Sequence, residues 1–242
     1  MAKFKRNDGR RPNQLRDVTI TPGFVRSADG SCLIECGGTR VICTASLSSG
    51  VKKWRQGSGL GWLTAEYAML PASTGRRKPR ATLKPDSRAT EIQRLIGRVI
   101  RNVVRFDRLG ENTLHLDCDV LEADGGTRTA AITGAHVAAA IASRRCAAQG
   151  RCKPGAIVGQ AAAVSVGVVG GQVLLDLDYS EDSAAEVDMN VAMLSGGRFV
   201  EVQGSAEKAP FTGDQLQAML SLAAKGVRRL ATLQRSAIRK AL

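Results

Sequence analysis

Apolar and polar residues alternate in short runs over the first part of the chain, and the stretch 16–70 has the pattern of β-structure. Extended runs at 31–36 and 40–47 are separated by the Gly-Gly-Thr sequence at 37–39, and a glycine-containing connection of this length predicts a hairpin. Another run at 61–70 ends just before a proline. We therefore expect a sheet to form from this part of the chain.

The middle of the chain changes to helical spacing and then back to strand spacing. Apolar residues recur at three- and four-residue steps over 92–104, with charged residues off that face, which predicts an amphipathic helix. Period two at 112–120 predicts a strand, with leucine and valine on one side and Asp117 and Asp119 on the other. The alanine-rich run at 127–148 predicts a largely buried helix.

The last part of the chain returns to strands and closes with a helix. Thr212 and Gln215 have the spacing of a capping box, which predicts that a final amphipathic helix begins there. Short glycine turns between alternating runs favour antiparallel neighbours, and the segment 179–183 is expected to connect two strands. The predicted strands lie at 160–168, 172–178, 184–194 and 198–204.

The predicted elements follow one another as strands, helix, strand, helix, strands, helix. The sequence has no linker that would separate them into blocks. We therefore predict an α+β fold with mixed or antiparallel sheets packed on helices, formed by a single compact domain over residues 1–242.

Lysine and arginine outnumber aspartate and glutamate by 35 to 22, so that the formal net charge is +13. Such a charge raises the local concentration of polyanions, which makes nucleic acid the expected partner and an acidic membrane surface the weaker alternative. A basic protein without either partner is also compatible with the charge alone. Aromatic residues make up only 4% of the chain, which argues mildly against an RNA-binding surface of stacked rings.

The stretch 72–87 is rich in basic residues and lacks apolar periodicity. Two prolines in this stretch disfavour a regular element, so we expect an exposed basic loop. Its cationic residues are Arg76, Arg77, Lys78, Arg80 and Lys84.

The chain starts with charged residues and no apolar stretch follows them, so no signal peptide is expected. No segment has the apolar length of a membrane span. The six cysteines form no CxxC pair, and several lie in strand-like runs where a free thiol packs as a small hydrophobe. We prefer buried thiols over zinc ligands or disulfides, and we therefore expect a cytoplasmic protein.

The sequence DGGTRT at 124–129 joins a predicted strand to a predicted helix and is the strongest local signal of chemistry. Gly125 and Gly126 allow a sharp turn and a close approach of ligand to backbone. The N–H groups at a helix start attract anions, Thr127 adds a hydroxyl, and Arg128 adds a planar fork for phosphate oxygens. An ordinary glycine turn with a capping threonine is the alternative. The absence of a GxxxxGK(S/T) motif argues against a P-loop nucleotide hydrolase.

A group of carboxylates lies close together in this otherwise basic chain, and several of them are expected to be solvated turn or edge residues. Asp182, in a strand connection, and Asp188, between Val187 and Met189 on the next strand, have a different setting. Together they could hold a divalent cation, or one could act as a general acid. Arg88, at another helix start, is a candidate second arm for phosphate. The carboxylates are Asp176, Asp178, Glu181, Asp182, Glu186 and Asp188.

Several blocks of sequence closely resemble the bacterial ribonuclease PH family, in the family's order and spacing over nearly the whole chain. The resemblance implies the compact β/α domain shared with polynucleotide phosphorylase and exosome ring subunits. The blocks are GLGWLTAEYAMLP at 59–71, EIQRLIGR at 91–98, LDCDVL at 116–121, ADGGTRT at 123–129, EDSAAE at 181–186, DMN at 188–190 and EVQG at 201–204.

The resemblance also implies an activity, the phosphate-dependent 3′→5′ trimming of tRNA precursors and other structured RNA 3′ ends. Inorganic phosphate is the co-substrate and Mg²⁺ the expected cation, and the protein is expected to be a homohexamer, a trimer of dimers, without membrane association. By resemblance, Asp182 and Asp188 match the catalytic and metal-associated pair. The phosphate-binding positions fall on Arg88, Gly126, Thr127 and Arg128, and the RNA-binding positions on Arg76, Arg77, Lys78 and Arg80.

Two other functions are compatible with parts of this pattern. A catalytically silent ring subunit that holds RNA for another nuclease would keep the basic surface, but it has no need for the phosphate-binding and acidic residues together. A polynucleotide phosphorylase carries two such domains and additional RNA-binding modules, for which 242 residues leave no room. The joint presence of both sets of residues favours the enzyme.

Overall fold

The computed structural model describes residues 5–80 and 86–242, so that Lys84 of the predicted basic loop lies outside the described residues. The first sheet is formed by β1 (Val18–Pro22), β2 (Gly30–Cys36), β3 (Thr39–Ser49), β4 (Trp62–Met69) and β5 (Asn112–Glu122). Their order in the sheet is β1-β2-β3-β5-β4. Neighbouring strands are antiparallel except β4 and β5, which run parallel.

The second sheet is formed by β6 (Ala161–Val169), β7 (Gln172–Leu175), β8 (Val187–Leu194) and β9 (Phe199–Ala206). All its neighbours are antiparallel, in the order β7-β6-β8-β9. Every residue of β6 is buried, because this strand has neighbours on both edges and helices pack on it. β9 lies at the edge of the sheet and is largely exposed.

The helices are α1 (Ser87–Arg101), α2 (Phe106–Leu109), α3 (Thr127–Ala148), α4 (Tyr179–Ala184) and α5 (Gly213–Lys240). α1 begins where the Asp86 carboxylate accepts hydrogen bonds from the N–H groups of Arg88 and Ala89. α5 begins at the predicted capping box of Thr212 and Gln215. None of the helices in the described ranges is long and apolar enough to cross a membrane.

Helix α3 lies between the two sheets and packs against both. Its residues are mostly small, which allows this close contact: a Cβ added to Gly134 would lie 2.6 Å from the Cys43 sulfur. Thr133 Oγ1 donates to the Ala163 carbonyl at 3.3 Å and accepts the Ala163 N–H at 3.2 Å, which ties the helix to β6. The first turn of α3 is thereby held at a fixed position between the sheets.

Most of the predicted elements are confirmed, including the hairpin at 37–39, the buried helix at 127–148 and the α+β class. The main difference lies at residues 176–184, where the prediction had strand ends and a connection. The Asp178 side chain accepts the Glu181 N–H, and Glu181 accepts the Asp178 N–H, so that a capping box starts α4 there instead. The parallel pairing of β4 and β5 was not foreseen, since it depends on the intervening helix crossing over the sheet.

Candidate active site

The turn before α3 has an unusual backbone conformation that only glycine adopts readily. Gly125 and Gly126 have φ values of +73° and +66°. A Cβ at Gly125 would lie 2.7 Å from the Asp178 carbonyl carbon, so the turn packs directly on the start of α4. No side chain among the described residues caps α3. The N–H groups of its first turn, from Thr127 onward, therefore present positive potential that suits an anion.

Tyr67 connects β4 to this turn. Its hydroxyl donates to Thr127 Oγ1 at 2.9 Å, and the ring is buried. Burial raises the pKa of the Tyr67 phenol, while the nearby guanidinium groups of Arg88 and Arg128 act in the opposite direction. The two arginines, in the first turns of α1 and α3, therefore both lie near the Tyr67 hydroxyl that contacts Thr127. The structure thus brings together the residues that the sequence predicted to bind phosphate.

Arg128 is held in place by two residues from other elements. Its Nη1 donates to Gln203 Oε1 on β9 at 2.9 Å and to Glu91 Oε1 on α1 at 3.3 Å. Gln203 Nε2 in turn donates to the same Glu91 oxygen at 2.9 Å. The Arg128 side chain is 17% exposed, so part of its fork faces solvent. A bound phosphate would therefore meet a guanidinium that is already oriented. It would also be a stronger hydrogen-bond acceptor for Arg128 than the present partners, Gln203 and Glu91.

Asp188 on β8 is a half-buried carboxylate. Its Oδ2 accepts a hydrogen bond from Asn190 Nδ2 at 3.3 Å, whereas its buried Oδ1 has no hydrogen-bond partner within the described residues. The pKa of Asp188 is raised to about 6, mainly by burial and also by the charge of Asp182, while Arg128 acts in the opposite direction. Asp188 is therefore suited to hold a proton or to receive a cation on its free oxygen.

Asp182 on α4 lies close enough to Asp188 for the two charges to interact. Burial raises the pKa of Asp182, and the positive charges of Arg88 and Arg128 counteract this rise. Two carboxylates and two guanidinium groups thus share one site at the start of α3. Such mutual perturbation of ionisable groups is typical of catalytic sites.

The described residues contain no cluster of three or more metal-ligating side chains. Mg²⁺, however, usually takes one or two carboxylates, several waters and phosphate oxygens of the substrate. Asp182 and Asp188 satisfy the protein's part of that requirement, and the free Oδ1 of Asp188 fits a cation. The donor set thus fits Mg²⁺ and does not fit zinc, which prefers nitrogen and sulfur ligands.

Several acids of 176–188 were expected to face water, and Asp176 and Glu181 are not among those that do, since both are buried. The guanidinium of Arg6 donates to both carboxylate oxygens of Glu181, at 2.7 and 2.6 Å. Arg16 donates to Asp176 from its backbone N–H and from Nη2, both at 2.8 Å. We call these paired residues, Arg6, Arg16, Asp176 and Glu181, the arginine clamp. It fixes α4, and with it Asp182, against the glycine turn.

The basic residues Arg76, Arg77, Lys78 and Arg80 are exposed, as predicted. The Lys78 N–H donates to the Pro71 carbonyl at 2.8 Å, so this part of the loop folds back on the end of β4. Arg80 lies near Asp119, whose pKa is raised by burial and by Asp117 and lowered by Arg80. No ion pair among the described residues joins these four cations to Asp182 or Asp188.

Several residues of the site were not predicted. Tyr67, Glu91 and Gln203 lie in the sequence blocks used for the resemblance, and that membership was the signal that could have identified them. The arginine clamp had no such signal. Arg6 and Glu181 are 175 positions apart in the sequence, and a local sequence pattern cannot predict a contact between residues so far apart.

Comparison with known proteins was consistent with this geometry. Residues 14–144 match the profile of the "3′ exoribonuclease family, domain 1", and residues 159–226 match "3′ exoribonuclease family, domain 2". A ribonuclease PH from Corynebacterium efficiens is 53% identical over 239 residues, covering 98% of both chains. A ribonuclease PH from Frankia casuarinae is 52% identical over 236 residues, covering 97% of this chain and 94% of the relative.

The fold also resembles that of a solved exosome subunit. A chain of the Archaeoglobus fulgidus exosome, in a structure with RNA bound to the active site, superposes with a TM-score of 0.78. The match covers 93% of this chain and 91% of the exosome chain at 21% sequence identity. At that identity the likeness concerns the fold alone.

Proposed function

This chain belongs to the 3′ exoribonuclease family, and we propose that it is a phosphorolytic exoribonuclease of the ribonuclease PH type that trims the 3′ ends of tRNA precursors. One structural observation carries the assignment of its site. Two arginines from different helices, Arg88 and Arg128, meet two half-buried carboxylates, Asp182 and Asp188, at the uncapped start of α3. This combination serves a reaction in which an anion attacks an anion.

Inorganic phosphate is the nucleophile in this reaction, and it must come close to an RNA phosphodiester that is itself negatively charged. The α3 N–H groups, the Thr127 hydroxyl and the guanidinium groups of Arg88 and Arg128 offset this repulsion and orient the phosphate. A phosphate oxygen attacks the terminal phosphorus, the bond to the 3′ oxygen of the preceding nucleotide breaks, and a nucleoside diphosphate leaves. The phosphoanhydride that forms keeps the step reversible.

The departing 3′ oxygen needs a proton or a positive charge. Without a bound cation, Asp188, with a pKa raised to about 6, holds a proton in a fraction of the molecules near neutral pH and can deliver it to that oxygen. With a cation bound at the carboxylates, the positive charge would come from the ion instead. We assign Mg²⁺ to Asp182 and Asp188, with its remaining ligands drawn from water and substrate phosphate. When bound, the ion polarises phosphoryl oxygens and stabilises developing negative charge.

RNA upstream of the reacting end is assigned to the exposed loop that carries Arg76, Arg77, Lys78 and Arg80. We propose that the protein assembles as a homohexameric ring, a trimer of dimers, since a ring would place several such loops around one RNA. Light scattering that returned a monomer mass would contradict this. The free cysteines, most of them buried, support a cytoplasmic location.

The decisive experiment incubates the purified protein with a 3′-extended tRNA, with and without inorganic phosphate. We expect shortening only with phosphate, and nucleoside diphosphates as products. Nucleoside monophosphates, or equal rates without phosphate, would show hydrolysis and overturn the proposal. Chelation with EDTA tests the cation in the same assay, because activity should be lost and then restored by added Mg²⁺.

A further inference from the structure

Both tryptophans of the chain lie in one cluster away from the phosphate-binding turn. The ring of Trp54, in the short helical turn Lys53–Arg55, meets Trp62 at the start of β4 edge-on, with ring centroids 4.9 Å apart. Trp62 stacks on Phe106 of α2 at 5.8 Å and an interplanar angle of 20°. Although aromatic residues are scarce overall, three of the nine are thus concentrated at one place.

Two arginines hold this cluster in a fixed geometry. The guanidinium of Arg55 lies 5.1 to 5.5 Å from the centroids of all three rings, and that of Arg101 lies 4.5 Å from the Trp62 centroid. Both are anchored through backbone carbonyls, Arg55 on Gly61 at 3.2 Å and Arg101 on Leu63 at 3.0 and 2.9 Å. Cation–π contacts of this kind keep the rings in place without covering Trp54.

The indole of Trp54 is 61% exposed, an unusual state for the largest apolar side chain. Its neighbours Lys52 and Lys53 are exposed cations, and the nearby acid Asp107 is already paired with Arg105 at 2.9 Å. The Trp54 ring is thus held in place, exposed to solvent and surrounded by cations. These properties suit a ligand with flat π-faces and a polyanionic backbone.

We propose that the cluster of Trp54, Trp62, Phe106, Arg55 and Arg101 is a binding platform on which an unpaired base of RNA stacks against Trp54. Lysines 52 and 53 would contact the adjoining phosphates. A second copy of this chain is a poorer occupant in a two-fold contact, because the same basic patch, with its exposed Lys52 and Lys53, would then face itself.

The location of the platform indicates which part of the RNA it holds. Trp62 begins β4, and Tyr67, which contacts the phosphate-binding turn, lies five residues further along the same strand. At about 3.3 Å per residue the two positions are roughly 16 Å apart. Because they are an odd number of positions apart, the two side chains also point to opposite faces of the sheet. The platform is therefore separate from the phosphate-binding turn, and we assign to it bases upstream of the 3′ end rather than the reacting nucleotide. This refinement rests on the proposed function, whereas binding to the platform does not.

The test measures binding of a single-stranded RNA oligonucleotide without phosphate, so that its outcome is independent of catalysis. We expect Trp54→Ala to weaken binding roughly 5- to 100-fold, the range observed when a stacking ring is removed. Trp54→Phe, which keeps a ring, should remain within a few-fold of the parent. Phe24→Ala removes a ring that is 48% exposed outside the cluster and should have no effect.

A spectroscopic readout is independent of the alanine variant. In Trp62→Phe, Trp54 is the remaining tryptophan, and RNA should quench its fluorescence as a base stacks on it. Unchanged affinity of Trp54→Ala together with unquenched fluorescence would overturn the proposal. Unchanged affinity with an altered assembly mass in Trp54→Ala would also overturn it and would show the cluster to be a subunit contact.

Discussion

The acidic segment 176–188 contains two pairs of carboxylates that are neighbours in sequence and opposite in setting. Asp176 and Glu181 belong to the arginine clamp, are buried, and have the guanidinium groups of Arg16 and Arg6 at hydrogen-bond distance. Asp182 and Asp188 are half-buried and have no ion pair among the described residues. One pair is neutralised by fixed partners and the other is left available to a ligand.

The difference shows how a site can keep reactive carboxylates in a rigid position. A buried ion pair with good geometry holds its elements in one arrangement, although its net contribution to stability is small because both ions lose their hydration. Carboxylates without such partners are destabilised in their charged form, and the raised pKa values of Asp182 and Asp188 express this. The clamp fixes the position of the segment, and the unpaired acids remain available for the proposed chemistry.

Replacing Asp188 should have the largest effect on catalysis. Asp188→Asn is nearly isosteric but offers neither an acidic proton nor a full charge to Mg²⁺, so single-turnover trimming should fall by about 10²–10⁴-fold. Binding of tRNA should be retained or slightly improved, since one anion is removed from the site. Asp182→Asn should act in the same direction. Glu186→Gln, in the same segment, is the control and should stay within a few-fold. Intact activity in both Asn variants would remove the acids from the mechanism.

Breaking the clamp should instead affect stability. Glu181→Gln leaves the buried Arg6 guanidinium without a charged partner, which should lower the free energy of unfolding by about 3–5 kcal/mol. Chemical denaturation measures this, and Asp107→Asn, which breaks an exposed ion pair with Arg105, serves as control. A Glu181→Gln protein as stable as the parent would show that the clamp does not fix α4. We therefore expect Glu181→Gln to lower stability first and phosphate affinity much less.

Removing the phosphate-binding guanidinium should have a smaller and more selective effect. Arg128→Ala should raise the phosphate concentration needed for half-maximal rate by roughly 10- to 100-fold, corresponding to about 1.5–3 kcal/mol for a charge-assisted hydrogen bond. RNA binding should change little. Arg98→Ala, which removes an exposed arginine paired with Glu201, is the matched control. If phosphate dependence were the same in both variants, Arg128 would be only a link between Glu91 and Gln203.

The smallest effect expected is a pH-dependent gain in stability. Because the pKa of Asp188 is raised from 3.8 to about 6 in the folded protein, the folded state binds this proton more tightly than the unfolded chain. The bound proton stabilises the folded state fully at pH values below 3.8, the pKa of the unfolded chain, and this stabilisation is lost as the pH rises through the folded pKa of about 6. In EDTA, Asp188→Asn should therefore be more stable than the parent at about pH 7.5. After allowing for solvent screening, the gain in the free energy of unfolding should be on the order of 1–2 kcal/mol, and it should shrink towards about pH 4. A gain independent of pH would contradict the assigned pKa.

Much of the fold could be predicted because it depends on local patterns. The extent of α3 follows from a glycine turn and an alanine-rich run, and the start of α5 from its capping box. That residues 1–242 form one domain stays a prediction. The packing of α3 on both sheets supports it, and a single calorimetric unfolding transition would test it.

The candidate site could be predicted only in part. Arg88, Thr127, Arg128, Asp182 and Asp188 were identified from their positions at helix starts and in motif blocks, and the structure brings them together. Their supporting residues were missed. The clamp joins the beginning of the chain to α4, and the Trp54 platform joins segments whose aromatic residues are too few to form a sequence pattern.

The sequence by itself determined the family, the α+β class, the glycine turn and the candidate phosphate-binding and acidic side chains. These depend on residue type and on spacing along the chain, which are local properties. The tertiary structure alone decided which carboxylates are neutralised by Arg6 and Arg16 and which remain available. The reason is physical: the pKa and the reactivity of a carboxylate depend on burial and on charges within a few ångströms, and those neighbours come from distant parts of the chain.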